Sequence, residues 1–174
     1  MRRPRGPRTG DLPIAAAGVA GASLARAALR QAILLKLRHD VRSLNAGDYR
    51  PLLAGYRDDA VLRFNDGAHR WAGEHRGKPA IERFLRDFVG AGLQGEVIDL
   101  AIGGPLWRLR LFVRFDDYAL APASGEQIYS NRTALVAQTS WGRIVWQEDF
   151  YEDTGRIVAL DARLSELGIA PARG

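Results

Sequence analysis

The chain has 174 residues and a formal net charge of +5, a length that suits one domain with a real core. Apolar residues make up 47% and charged residues 26%, average globular values that exclude bulk disorder. With no cysteine, disulfides, thiolate metal sites and cysteine nucleophiles are excluded, and a reducing cytoplasm is the simplest compartment.

The positive charge is unevenly placed. Residues 1–30 hold Arg2, Arg3, Arg5, Arg8, Arg26 and Arg30 against Asp11 alone. The remainder carries 19 basic and 19 acidic residues, so the basicity belongs to the tail and no nucleic-acid partner is expected. Residues 1–25 read as a basic, flexible or loosely helical extension, and 26–170 as the domain. A basic start followed by Pro13–Ala22, mostly Ala and Gly, resembles a signal peptide, so export is the alternative to the cytoplasm. That stretch is too short and too mild to span a membrane, although a basic tail could touch an anionic surface.

From about Leu24 to Leu44, Ile33, Leu37, Val41 and Leu44 recur at helical spacing. Asn45-Ala46-Gly47-Asp48 stops that helix and caps a short second one, Tyr49 to Tyr56, with Pro51 in its first turn. Ala60 to Phe64 is extended, Asn65-Asp66-Gly67 turns, and His69 to Glu74 returns as a short strand. A third helix opens at Gly77-Lys78-Pro79, with Ile81, Phe84, Leu85 and Phe88 as its buried stripe. Four strands follow: Glu96 to Ile102, Leu106 to Leu120, Gln127 to Thr139 and Arg143 to Tyr151, parted by glycine-bearing turns. Helices first and long antiparallel strands afterwards predict an α+β fold, a sheet wrapped on one side by three helices.

Three stretches resemble the nuclear-transport-factor-2-like superfamily, which includes ketosteroid isomerases, SnoaL-like cyclases and limonene epoxide hydrolases. They are Leu44–Asp48 with Tyr56–Val61, then Trp71–Ile81, and the closing hairpin from Trp141 to Tyr151. The resemblance spans about residues 26–166. It implies a strongly curved sheet closed by helices into a cone around an apolar pocket, and dimerisation through the outer sheet face. It also implies a small hydrophobic, oxygenated ligand, with cofactor-free isomerase, cyclase or epoxide-hydrolase chemistry, or a non-catalytic binding module. One scaffold hosts many functions.

Arg114, Asp116 and Asp149 are the candidate catalytic set. Limonene epoxide hydrolases carry an Arg-x-Asp strand and an aspartate on the closing strand, positions that fall here on Arg114, Asp116 and Asp149. An arginine between two carboxylates can keep one ionised while the other holds a proton. The alternative is an ordinary strand-face ion pair. The water-positioning tyrosine and asparagine of those hydrolases fall on Leu62 and Phe64, which weakens epoxide hydrolysis. The ketosteroid isomerase acids fall on Phe64 and Ala134, and that family's helix tyrosine falls on Asp40, which speaks against steroid isomerisation.

Asp40 sits on the apolar side of the first helix and either enters the pocket or pairs with Lys36. His69, Trp71 and His75 share a strand face, so His69 and Trp71, with Tyr56, Phe64 and Trp146, are candidate pocket residues. Glu74 would point away from both histidines, so no metal site is expected. No phosphate loop, nucleophile elbow or dinucleotide fingerprint occurs, and no cofactor is implied.

Overall fold

The computed structural model describes residues 13–121 and 124–171. Helix α1 runs Pro13–Asn45, longer than the apolar stripe predicts. Alanine is the strongest helix former and proline suits a first turn, so the Ala-rich segment from Pro13 continues the helix. Residues 13–25 of the predicted extension are therefore helical, and residues 1–12 lie outside the described residues. Gly47, at φ 91°, ends α1. The Asp48 N–H donates to the Ser43 carbonyl (2.8 Å) and the Gly47 N–H to that of Leu44 (2.9 Å).

Helix α2 spans Arg50–Ala54, strand β1 Tyr56–Phe64, β2 Gly73–Arg76 and α3 Lys78–Gly90. Strand β1 starts four residues earlier than its sequence pattern predicts, and β2 sits later, leaving His69 and Trp71 in the turn before it. Strands β3 Leu93–Gly103, β4 Arg110–Leu120, β5 Gln127–Ser140 and β6 Arg143–Tyr151 follow. A fourth helix, α4 Thr154–Glu166, adds to the predicted three. Its signals are present in the sequence: Asp153 caps it by accepting from the Gly155 N–H, and Ile157, Leu160 and Leu164 form a buried stripe.

The six strands form one sheet in the order β2-β1-β6-β5-β4-β3. All neighbours are antiparallel except β1 and β6, which run parallel. Register shifts interrupt β3 at Val97/Asp99, β4 at Ala119/Leu120 and β5 at Gln138/Thr139, and such bulges bend a sheet and sharpen its twist.

Two apolar clusters cover the concave face. One joins α3 and α4 to β1 through Leu62, Phe64, Ile81, Phe84, Ile157 and Leu160. The other seats α1 on β3 and β4 through Leu34, Val41, Val97, Leu100 and Val113. Asn45 ties α1 to β3: its amide donates to the Gly95 carbonyl (2.9 Å) and its oxygen accepts the Gly95 N–H (3.0 Å). None of the described helices is long and apolar enough to cross a membrane.

Candidate active site

Between the two clusters lies a cavity of about 110 Å³. A water needs on the order of 10–15 Å³ on this measure, so the space fits several waters or a small organic molecule. Leu37, Val41 and Leu44 of α1 line one side, and Phe84, Leu85 and Phe88 of α3 another.

The floor is the inner sheet face. Because the side-chain period of a strand is two, the register pairs the inward residues into rows. Leu111, Ala137 and Gln147 form one row, Val113, Leu135 and Asp149 the next, then Phe115, Thr133 and Tyr151, and finally Asp117 and Asn131. Members of the first three rows all line the cavity, as does Asp117. Hydrocarbon dominates on β4, while β6 contributes the polar chain Gln147, Asp149 and Tyr151.

Two linked polar groups result. The Tyr56 hydroxyl donates to Gln147 Oε1 (2.5 Å), and Gln147 Nε2 donates to Asp149 Oδ1 (2.9 Å). Asp149 Oδ2 takes no hydrogen bond from the described residues. Across the floor, the Thr133 hydroxyl donates to Asp117 Oδ2.

Burial sets the protonation of both acids. It pushes the Asp149 carboxyl up to about 7, reinforced by the nearby Asp117 and Glu148 charges and opposed by the Gln147 hydrogen bond. Burial likewise raises Asp117 to about 6, against the opposing pull of the Thr133 hydrogen bond. No cation contributes to either shift. The hydroxyls of Tyr56 and Tyr151, also pushed upward by burial, stay protonated, and that of Tyr56 acts as a donor. Asp117 additionally borders a polar groove on the outside, beside Arg132, Glu152 and Arg156, so its carboxyl stands between cavity and solvent.

The predicted residues separate into three groups. Asp149 and Tyr56 meet in the cavity. Arg114 and Asp116 do not join them: both belong to the outer face of β4, pairing loosely at 3.8 Å with side chains about half exposed. The strand parity that turns Leu111, Val113 and Phe115 inward turns Arg114 and Asp116 outward, and the next inward acid is Asp117. Trp146 is likewise outward, beside Val61 and Gln138, because Gln147 takes the inward place.

The other expected pocket residues lie in solid core. Phe64 is fully buried and packs on Tyr151 (5.0 Å between ring centroids) and Phe84 (5.3 Å). His69 stands edge-on to Phe64 at 5.7 Å, and Trp71 lies 6.2 Å beyond His69, so both are outside the cavity wall. Burial lowers the His69 pKa, partly offset by the Asp161 carboxylate. Asp40 is buried, pairs with Lys36 and does not line the cavity. No group of three or more His, Cys, Asp or Glu among the described residues could hold a metal ion.

No protein-family model matches the sequence, and no curated protein matches it. Solved structures do. A protein of unknown function from Burkholderia pseudomallei, itself described as nuclear-transport-factor-2-like, superposes with a TM-score of 0.58 at 19% identity. The match covers 73% of this chain and 95% of that one. The fold is that of the nuclear-transport-factor-2-like proteins. TerC, co-crystallised with polyporic acid, matches at TM-score 0.59 and 16% identity over 71% of this chain and 92% of its own. Bal32a, from a soil-derived mobile gene cassette, matches at 0.57 and 18% over 72% and 93%. The cone fold expected from the three sequence stretches is thus present.

Proposed function

We propose that the cone cavity binds a small apolar molecule carrying an oxygen function, and that Asp149 moves a proton on it without a cofactor. The carrying observation is the Asp149 carboxyl, buried in a largely apolar cavity, hydrogen-bonded to Gln147 and paired with no cation among the described residues, with a second acid, Asp117, on the same wall. A structural acid is normally exposed or paired; a carboxyl held near neutrality can both take and return a proton at pH 7.

The roles follow from the rows of the floor. The hydrocarbon part of the guest rests on Leu111, Val113, Phe115 and the α1 stripe. Its oxygenated end faces β6, where Asp149 Oδ2 takes no hydrogen bond from the described residues. Gln147, held by the Tyr56 hydroxyl, fixes the Asp149 carboxyl through Oδ1. An acidic C–H beside a carbonyl would give its proton to the Asp149 carboxylate, and the same acid would return it to another carbon or to oxygen. That cycle is an isomerisation or an internal ring closure and needs no net co-reactant. Asp117, between cavity and groove, offers a route for the proton to exchange with solvent. TerC, of the same fold, was crystallised with polyporic acid, which supports an organic guest.

The compartment we assign is the cytoplasm. We also propose that two copies pair through the outer sheet face, where Phe112 and Phe150 stand half-exposed on either side of β5, across Val136 and Ala134.

The test is a thermal-shift screen against terpenoids, aromatic polyketides, steroids and fatty acids. A ligand at a hundredfold excess over its dissociation constant adds about 2.7 kcal/mol of stability. The compound found is then incubated with the wild type and with Asp149→Asn. Binding by both with conversion by the wild type alone supports catalysis. Binding without conversion by either makes the protein a binding module, and no binding across the panel refutes the proposal.

A further inference from the structure

One end of the sheet carries a surface that the cavity does not use. The β3–β4 connection and the β5–β6 hairpin meet there, joined by the Trp141 N–H donating to the Trp107 carbonyl at 3.0 Å and the Thr139 N–H to that of Leu109 at 2.8 Å. The joined tips hold up Trp141, Trp107 and Leu106, whose exposures of 83%, 57% and 67% are unusual for such large apolar side chains.

The turn itself argues that Trp141 is kept for its side chain. Trp141 (φ 49°) and Gly142 (φ 80°) are the two central residues of a tight hairpin. Both positions need left-handed backbone, for which Asn-Gly is the favoured pair. Trp141 is the one non-glycine residue with positive φ among the described residues. A bulky residue there opposes both the backbone preference and the solvation of an indole.

The tips themselves carry basic side chains only, while the exposed Asp58 and Asp59 of the neighbouring β1 pair with Lys78 and Arg57. Arg108, Arg110 and Arg143 flank the two tryptophans and are exposed. Arg26 of α1 reaches the same end, donating to the Gly104 carbonyl at 3.1 Å. Residues 100–115 and 127–147 contain no Asp or Glu. Indoles that project from convex tips within a collar of guanidinium groups match the interfacial zone of an anionic bilayer, where tryptophan is favoured and cations meet lipid phosphates.

We propose that the protein docks on anionic lipid surfaces through these two tips, with Trp107 and Trp141 inserting at headgroup depth and the arginines contacting phosphate. The inference does not depend on what the cavity holds.

Flotation with vesicles of equal parts phosphatidylcholine and phosphatidylglycerol tests it, using the full chain. The wild type should float with these vesicles and not with pure phosphatidylcholine. Trp107→Ser combined with Trp141→Asn should weaken binding about tenfold or more, while asparagine suits the left-handed turn and keeps the hairpin. Because this variant retains the basic N-terminal segment, flotation equal to the wild type would overturn the proposal. Failure of the wild type to float would do the same. A change in oligomeric state in the double variant, with vesicle binding intact, would make the tips a protein contact instead and also overturn it. As a second arm, Arg108→Gln with Arg143→Gln should lower binding and flatten its salt dependence; salt-independent binding by the wild type counts against the mechanism.

Discussion

Replacing Asp149 by asparagine removes the charge of a carboxyl buried among Val113, Leu135 and Tyr151 while keeping its shape. The pKa of this group rises from 3.8 to about 7 on folding. Between those values the folded state holds a proton that the unfolded state has lost, so the acid's contribution to unfolding free energy falls as pH rises. Below about pH 4 both states are protonated and Asp149 has no linked effect. Above pH 7 the full difference applies, about 4 kcal/mol at 1.36 kcal/mol per unit. Asparagine still accepts the Gln147 hydrogen bond through its oxygen and has nothing to ionise. Asp149→Asn should therefore match the wild type near pH 4 and exceed it at pH 8 by up to about 4 kcal/mol. For a chain of this size that is about 8–16 °C in Tm. Denaturant melts of both proteins across pH 4–8 provide the assay. A variant less stable than the wild type at pH 8 would mean that the carboxylate is stabilised as an ion, and a gap that ignores pH would mean that folding leaves its pKa unshifted; either result contradicts a carboxyl raised by burial.

Three further outcomes follow from the site. Arg114→Ala should change stability by under about 1 kcal/mol and leave turnover of any ligand intact, because its pair with Asp116 is exposed; urea melts and activity check it. Tyr56→Phe strips Gln147 Oε1 of its buried donor and should cost about 1–3 kcal/mol in the same melts. Phe112→Glu with Phe150→Glu should leave a monomer in sedimentation experiments; a dimer that survives would count against the sheet-face interface.

Much of the fold was legible because its signals are local and periodic. Strand β6 begins and ends where its pattern and flanking turn place it, and the Gly47 stop of α1 is explicit in the sequence. What failed was depth. Asp40 lies about 60° around α1 from Leu37, by 100° per residue, near enough to share the stripe yet far enough to turn to Lys36. His69 and Trp71 look like pocket residues by type, but Phe64 stands between His69 and Tyr151, and only tertiary packing reveals that. The β4 acid is legible in the alternation, since Leu111, Val113 and Phe115 continue inward to Asp117, whereas the resemblance points to Arg114 and Asp116. The parity that makes Asp149 inward likewise makes Trp146 outward. Helix α4 escaped because its stripe of Ile157, Leu160 and Leu164 is short, although Asp153 marks its start.

Proton transfer by Asp149 on a molecule held in the cavity is the heart of the proposed function. Its most direct test is deuterium uptake from heavy water into the acidic carbon of the ligand found by the thermal-shift screen, followed by NMR at pH 7–8. The wild type should show uptake and Asp149→Asn only the uncatalysed rate, while both bind the ligand. Equal uptake by the two proteins, or none by either despite saturation, would contradict it.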